Sequence, residues 1–365
     1  MRLLWVELKD FRNHANSRLD LPDGLVTLVG ANGEGKTNLL EGMFFLFSLA
    51  SPRVSASDPL VRRGAESGFL RGEVQTAAEG RVLVEIEVRT AGANQVRVNR
   101  SPVRRKRDVR KLVRAVFFGP DDLAIVQGEP GERRRFMDEA VVTLWPAKDS
   151  VLRAYDRALR QRNRLLKEWE GSGVPPDMDA WDAELVEAGS PVIRARGDAV
   201  ERVAPLAGEE FEALAPYGLD VAYQPSVAGG DVAGGFAKRL SERRDDELIR
   251  RTTLVGPHRD DLGLAVRDLG ARAFASHGEA WGAALALRLG LARAVQAELG
   301  EHPVLLLDDP FSALDPPRRL RTAAGLAGRG QVVVSVADEG HVPAGSAAIW
   351  DVSEGAVKVR GEDAV

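Results

Sequence analysis

Eight consecutive residues constrain this chain more than any other feature. Gly30-Ala31-Asn32-Gly33-Glu34-Gly35-Lys36-Thr37 fits the spacing G-x-x-x-x-G-K-[ST]. It follows the apolar, β-type run Leu25–Val29, and it precedes a segment in which Leu39, Leu40, Met43, Phe44 and Phe47 recur at helical spacing. A strand, a glycine-rich turn and a helix start, in that order, aim backbone N–H groups and a positive helix end at one point. Such a point suits a phosphate. Lys36 is expected between the β- and γ-phosphates of a nucleoside triphosphate, with the Thr37 hydroxyl on Mg²⁺. A chance Gly-rich turn would lack the two flanking elements.

Composition narrows the setting. Fifty basic residues stand against fifty-four acidic ones, for a net charge of −4, so any nucleic-acid contact must come from a local patch. There is no cysteine, which excludes disulfides, iron–sulfur clusters and a thiol nucleophile. The five histidines (His14, His258, His277, His302, His341) show no metal-ligand spacing. No apolar run approaches the roughly 18 residues that span a membrane, and Glu7 and Asp10 come too early for a signal peptide. A soluble, cytoplasmic protein with no membrane partner is expected.

The second half of the phosphate site comes late. Val304–Leu307 is an apolar strand running into Asp308 and Asp309. Asp308 is expected to hold Mg²⁺ through water, and Asp309 to polarise the attacking water. About 270 residues separate the two halves, and at 365 residues the chain has room for two or three domains of roughly 150. The expected division is an α/β head from 1–125 plus 250–365, with 126–249 inserted as a helical lobe. Strands are expected at Phe69–Gln75, Val82–Val88 and Gln95–Val98, mostly antiparallel, and at Val332–Val336, with a helix over Glu279–Leu299.

Within the insert, Leu152, Tyr155, Leu159, Leu166 and Trp169 keep helical spacing up to a Gly/Pro break at 171–176, after which Trp181, Leu185 and Val192 begin another helix. This reads as an αα-hairpin arm or, equally, as an ordinary helical subdomain. The Gly-rich stretch 226–236 reads as a flexible loop.

Two further motifs narrow the type. Ser312-Ala313-Leu314-Asp315 follows the acidic pair as the D-loop does in ABC-type ATPases. Thirty-two residues before Asp308, Ser276-His277-Gly278-Glu279 opens a helix, the place of the signature motif that in such ATPases meets the γ-phosphate of the opposite subunit. With these, the chain resembles the RecF family, bacterial recombination and repair proteins of the ABC/SMC-like class. The resemblance is carried by Phe11-Arg12-Asn13-His14, by Lys36-Thr37-Asn38-Leu39-Leu40-Glu41 and by Phe118-Gly119-Pro120-Asp121-Asp122-Leu123. It continues through Arg133-Arg134-Arg135-Phe136-Met137-Asp138 and Thr253-Leu254-Val255-Gly256-Pro257-His258-Arg259-Asp260-Asp261-Leu262.

The resemblance implies an ABC/SMC-type P-loop ATPase head bearing a short arm, with ATP and Mg²⁺ as cofactors and Ser276 acting in trans in an ATP-dependent homodimer. It also implies DNA binding, weak DNA-stimulated ATP hydrolysis, and recombinase loading at gaps through a RecR-type mediator in repair and the SOS response. An ATP-binding scaffold with negligible hydrolysis that recruits repair partners is the alternative. A transporter's ATPase subunit fits worse, because an arm-like insert and basic clusters would be idle there.

The chain departs from the family pattern at several places. Glu279 replaces the usual glutamine of the signature, and a carboxylate near a partner's γ-phosphate repels it unless a cation intervenes. Ser335-Val336-Ala337-Asp338 stands where a switch histidine is common, with His341 three residues beyond. Gln127 is the candidate for the metal-sensing glutamine.

Eight basic residues fall within Arg100–Arg114 against one acid, Asp108. Of these, Arg104, Arg105, Lys106, Arg107, Arg110 and Lys111 are the candidate DNA contacts, reading backbone rather than bases; the alternative is a solvated face paired with nearby acids. The arm adds Arg157, Arg160, Arg162, Arg164 and Lys167, either for DNA or for solubility. The 256–261 turn reads as a tie between lobes or as a catalytic His–Asp pair. Arg12 reaches either the nucleotide or Asp10.

Overall fold

The computed structural model describes residues 1–360. Strands Leu25–Val29, Val304–Asp308 and Val332–Val336 are buried at every position, the pattern of parallel strands covered on both faces. They lie in a six-stranded sheet of order 356–359, 348–353, 25–29, 332–336, 304–308, 115–118, parallel except for the 356–359 edge hairpin. Alternation along these strands feeds two cores. Leu305, Leu307, Val332 and Val334 pack with the helix His277–Leu299, whereas Val304, Leu306 and Val333 pack with the phosphate-loop helix Lys36–Ser48.

A second six-stranded sheet covers the other side of the phosphate-loop helix. Its strands (14–20, 2–11, 67–76, 80–89, 95–98, 101–102) are antiparallel, and its Leu3, Val6, Leu8 and Leu70 join the same core. The expected strands are present: Gln95–Val98 and Val332–Val336 as expected, and the other two extended to Ser67–Thr76 and Gly80–Arg89. The strand His14–Asp20 was not expected, because HANSRLD carries little β propensity. Cross-strand pairing with Arg2–Phe11 makes it a strand.

Between residues 149 and 250 the chain is mostly helical, with one strand, Leu219–Gln224. Asp149–Glu168 and Met178–Glu212 pack against each other across the turn at 169–177, and a third helix, Val232–Arg250, packs on the long one. This third helix shortens the expected loop at 226–236 to 226–231. The Asp231 side chain accepts the Gly234 N–H at 2.9 Å, starting a helix through the glycines, while buried Val227 and Phe236 anchor both sides. The long helix also meets the helix His277–Leu299 closely. A Cβ on Gly290 would fall 2.7 Å from the Ala207 nitrogen, so only glycine permits this approach.

Arg162 departs from its reading as a basic arm residue. It is fully buried, donating to Asp182 (2.8 Å), Glu247 (2.5 Å) and Thr253 Oγ1 (2.8 Å), so it joins all three arm helices. Removing one partner of such a buried pair typically costs about 3–5 kcal/mol.

The 256–261 turn ties the lobes together. Arg196 of the long helix donates to Asp138 (2.8 and 3.0 Å), Asp260 (3.1 Å) and the Pro257 carbonyl (2.6 Å), while Arg133 forks onto Asp261 (2.6 and 2.9 Å). His258 is not paired with an aspartate. It sits 2.6 Å from Tyr155 Oη and donates to the Thr253 carbonyl (3.0 Å), and burial lowers it to about 4. Among the described residues no helix is long and apolar enough to cross a membrane.

Candidate nucleotide site

The phosphate loop leaves strand Leu25–Val29 and enters its helix through Gly33 (φ 90°) and Gly35 (φ 117°), conformations that favour glycine. At Gly35 a Cβ would also strike Asn13 at 2.6 Å. No side chain caps this helix and no acid sits in its first turn, which leaves its N-terminus to an external anion. Lys36 folds back on the loop, donating to the carbonyls of Gly30 (2.6 Å) and Ala31 (2.8 Å). Burial lowers its pKa, against the pull of Asp308, Asp309 and Glu34. A phosphate offers this ammonium a stronger acceptor than a neutral carbonyl.

The segment after the first strand braces the loop. Asn13 donates to the Glu34 carbonyl (3.1 Å) and accepts from Asn38 (2.8 Å), and His14 Nε2 donates to the Gly35 carbonyl (3.1 Å). Arg12 reaches neither the nucleotide loop nor Asp10. It forks onto the buried Glu41 carboxylate at 2.8 Å and donates to the Pro59 carbonyl, while Asp10 lies near Arg62. A buried carboxylate one helix away outcompetes a partly exposed one next to it.

Strand order brings the acids to the loop. Strand Val332–Val336 lies between the phosphate-loop strand and strand Val304–Asp308, with Ser335 in register with Asp308. Asp308, nearly fully buried, accepts from Thr37 Oγ1 (2.7 Å) and Ser335 Oγ (2.6 Å), and Ser335 Oγ also accepts the Asp309 N–H (3.0 Å). Asp309 turns into the left-handed region (φ 49°), with its Oδ1 buried and unpartnered among the described residues. Burial and then Asp308 raise its pKa, opposed by Lys36 and His341. This is the profile of a poised proton acceptor.

Mg²⁺ fits the donor set. Thr37 and Asp308 supply hard oxygens side by side, as that ion requires. No group of three or more His, Cys, Asp or Glu suited to a metal occurs among the described residues, so phosphate oxygens and water would complete the shell.

Thr37 and Asp308 also line one end of a cleft of about 1080 Å³ that runs between the phosphate-loop helix and the helices of residues 123–168. Gln127 lines it. Arg288, on the helix His277–Leu299, forks onto Asp122 (3.1 and 2.7 Å), which in turn accepts the Gly119 N–H (3.1 Å) at the cleft wall. A single arginine inside the apolar, Ala-rich run 283–292 was the available sequence signal for this tie.

Ser276 caps its helix, accepting the Glu279 N–H at 3.3 Å, while Glu279 accepts the Ser276 N–H at 2.8 Å. The D-loop adjoins it: Trp281 Nε1 donates to the Pro310 carbonyl (3.0 Å), Ser312 Oγ donates to the Asp309 carbonyl (3.0 Å), and Asp315 caps the helix Pro316–Leu326. Among the described residues no hydrogen bond joins Ser276 to the phosphate loop of its own chain.

The basic island divides. Arg104, Arg105, Lys106 and Lys111 are exposed, and Arg107 is half-buried beside Asp108. Arg110 turns inward to the Ser48 carbonyl (2.9 Å), and Arg114 is buried against the Thr143 carbonyl (2.9 Å). Arg110 points inward from the helix Lys106–Leu112, and Arg114 lies beyond its end, just before the strand Ala115–Phe118.

Comparison with known proteins agrees with this geometry. Residues 2–354 match the RecF/RecN/SMC N terminal domain family. The chain is 39% identical to the DNA replication and repair protein RecF of Cutibacterium acnes, covering 93% of each, and 42% identical to that of Streptomyces avermitilis, covering 98% and 100%. Its fold matches solved structures of the recombination mediator protein RecF of the RecFOR pathway. The RecF-ATPrS form gives a TM-score of 0.90 and the RecF-ATP form 0.89, each at 26% identity, over 98% of this chain and 98% and 97% of theirs. An Smc head bound to a ScpA domain shares the fold alone, with a TM-score of 0.59 at 17% identity over 98% of this chain and 97% of that one. The chain belongs to the RecF family of ABC/SMC-type ATPases.

Proposed function

We propose that this chain is an ATP-driven clamp of recombinational repair: two copies pair head to tail around two ATP molecules on gapped or single-stranded DNA. There they help a RecR-type mediator load recombinase. The head is 1–125 with 250–365, and 126–249 is the arm lobe. Lys36 and the loop N–H groups of residues 30–37 bind the phosphates, Thr37 and Asp308 hold Mg²⁺, and Asp309 accepts a proton from the attacking water. When bound, Mg²⁺ offsets charge on the phosphate oxygens. The observation that carries the reading is the Thr37–Asp308–Ser335–Asp309 constellation behind an uncapped phosphate loop. The RecF relatives, named for replication and repair, and the ATP-bound RecF structures support it. Ser276 makes no bond to its own loop, which suits a role against a second copy's nucleotide.

The test is steady-state phosphate release with and without gapped duplex, alongside a DNA titration across salt. DNA should raise turnover severalfold. Replacing Arg104, Arg105, Lys106 and Arg107 with Ala should remove that stimulation and make the log–log salt slope shallower by up to about 0.9 per lost contact. An unchanged slope would return these side chains to a solvated face, and turnover indifferent to DNA would count against the clamp.

A further inference from the structure

Glu279 sets a problem for any mechanism in which the Ser276 helix end meets a phosphate. It is a carboxylate at the mouth of an anion-binding helix N-terminus. In this chain it is turned inward. It accepts the Ser276 N–H (2.8 Å) and the Tyr217 hydroxyl (2.6 Å), and it pairs with the Arg267 guanidinium. The Tyr217 bond and the Ser276 N–H, with Arg267, hold it ionised, down to about 2 despite its burial. Its charge is therefore retained at working pH, and Arg267 is the cation paired with it.

Arg267 is placed to do so and more. Its guanidinium lies over the Tyr217 ring (4.5 Å from the centroid) while its side chain stays 56% exposed. One edge thus engages Glu279 and the rest remains open at the helix end. The neighbouring cation, Arg318, is drawn to Asp315 at 3.5 Å.

The backbone beneath Arg267 is unusual. Arg267 (φ 55°) and Asp268 (φ 62°) form the two-residue loop of the hairpin between Asp261–Val266 and Leu269–Gly270. Such a loop favours Asn-Gly, and a long side chain there is strained. Apolar Leu269 and Phe274 are exposed in the same segment.

We propose that Arg267 makes a carboxylate workable in the signature position: it neutralises Glu279 and, when two copies pair, presents a cation to the γ-phosphate of the nucleotide on the opposite copy. This rests on the trans-site reading above. Without Arg267, Glu279 would face that phosphate uncompensated, and like charges at an interface strongly disfavour it.

Charge compensation predicts a rescue. Sedimentation equilibrium with Mg²⁺ and ATPγS would compare wild type, Arg267→Gly and Arg267→Gly/Glu279→Gln. Glycine suits the left-handed loop and offsets part of the lost pairing with Glu279, so Arg267→Gly should fold with a thermal midpoint near that of wild type. The single variant should dimerise on the order of tenfold or more weakly, and the double variant should recover to near wild type, since an amide needs no counter-ion. A wild type that stays monomeric would sink the trans-site reading and this proposal with it. A wild-type dimer matched by an equally tight Arg267→Gly dimer would overturn this proposal alone. So would a double variant as weak as the single one.

Discussion

Lys36→Ala should lose ATP binding while keeping its fold. In the free chain the ammonium satisfies itself on two loop carbonyls and is held there against desolvation. Those bonds are weak substitutes for phosphate, and an ionised partner on each side makes the exchange favourable. Two charge-assisted bonds at about 1.5–3 kcal/mol each amount to ~3–6 kcal/mol, or roughly 10²–10⁴ in Kd. The alanine chain should melt near the wild-type midpoint, because removing a desolvated cation offsets the lost carbonyl contacts. Equilibrium titration with labelled ATP measures the loss. Near-normal affinity would mean that the loop is a structural turn.

Asp309→Asn should bind ATP and fail to hydrolyse it. The left-handed backbone at Asp309 tolerates asparagine better than most residues. The neutral side chain also relieves repulsion from Asp308, the second cause of the raised pKa after burial. What it cannot do is accept a proton, and loss of a general base typically costs about 10²–10⁴ in rate. The raised pKa adds a signature in pH. The base form is present above that pKa and is lost as pH falls through it, so wild-type turnover should decline on the acid side sooner than an unperturbed carboxylate would allow. Single-turnover phosphate release across pH should show that limb in wild type and no measurable rate in Asp309→Asn. Undiminished turnover would place the base elsewhere.

Much of this was legible in the sequence because it is local. The phosphate loop sits between a strand and a helix that announce themselves within twenty residues, and Val304–Asp308 reads as a buried strand ending in acids. The antiparallel strands at 67–98 alternate plainly. What was not legible depends on partners far along the chain. Ser335 matters because strand Val332–Val336 slots between the two halves of the site, and only the sheet order reveals that. Arg162 looked like one more arm cation until three helices closed around it. Arg12 found Glu41 rather than its near neighbour, and Arg110 and Arg114 turned into the cleft wall. Composition held at 226–231 and misled from 232 to 236, where an Asp cap and a buried Phe236 start a helix through Gly234 and Gly235. Charge and glycine counts carry no information about which face is buried, and each of these departures comes from that.

The central claim is that ATP joins two heads, each Ser276 closing on the other's γ-phosphate. A ligand bound only by the pair must favour the pair by mass action, and ADP, without that phosphate, should not. Sedimentation velocity of the wild-type chain with Mg²⁺ and ATP, with ADP and with neither tests this directly, with Asp309→Asn and Ser276→Arg run alongside. The account predicts a dimer with ATP only, more stable in Asp309→Asn and absent in Ser276→Arg. A mass indifferent to nucleotide, or a Ser276→Arg chain that still pairs with ATP, would contradict it.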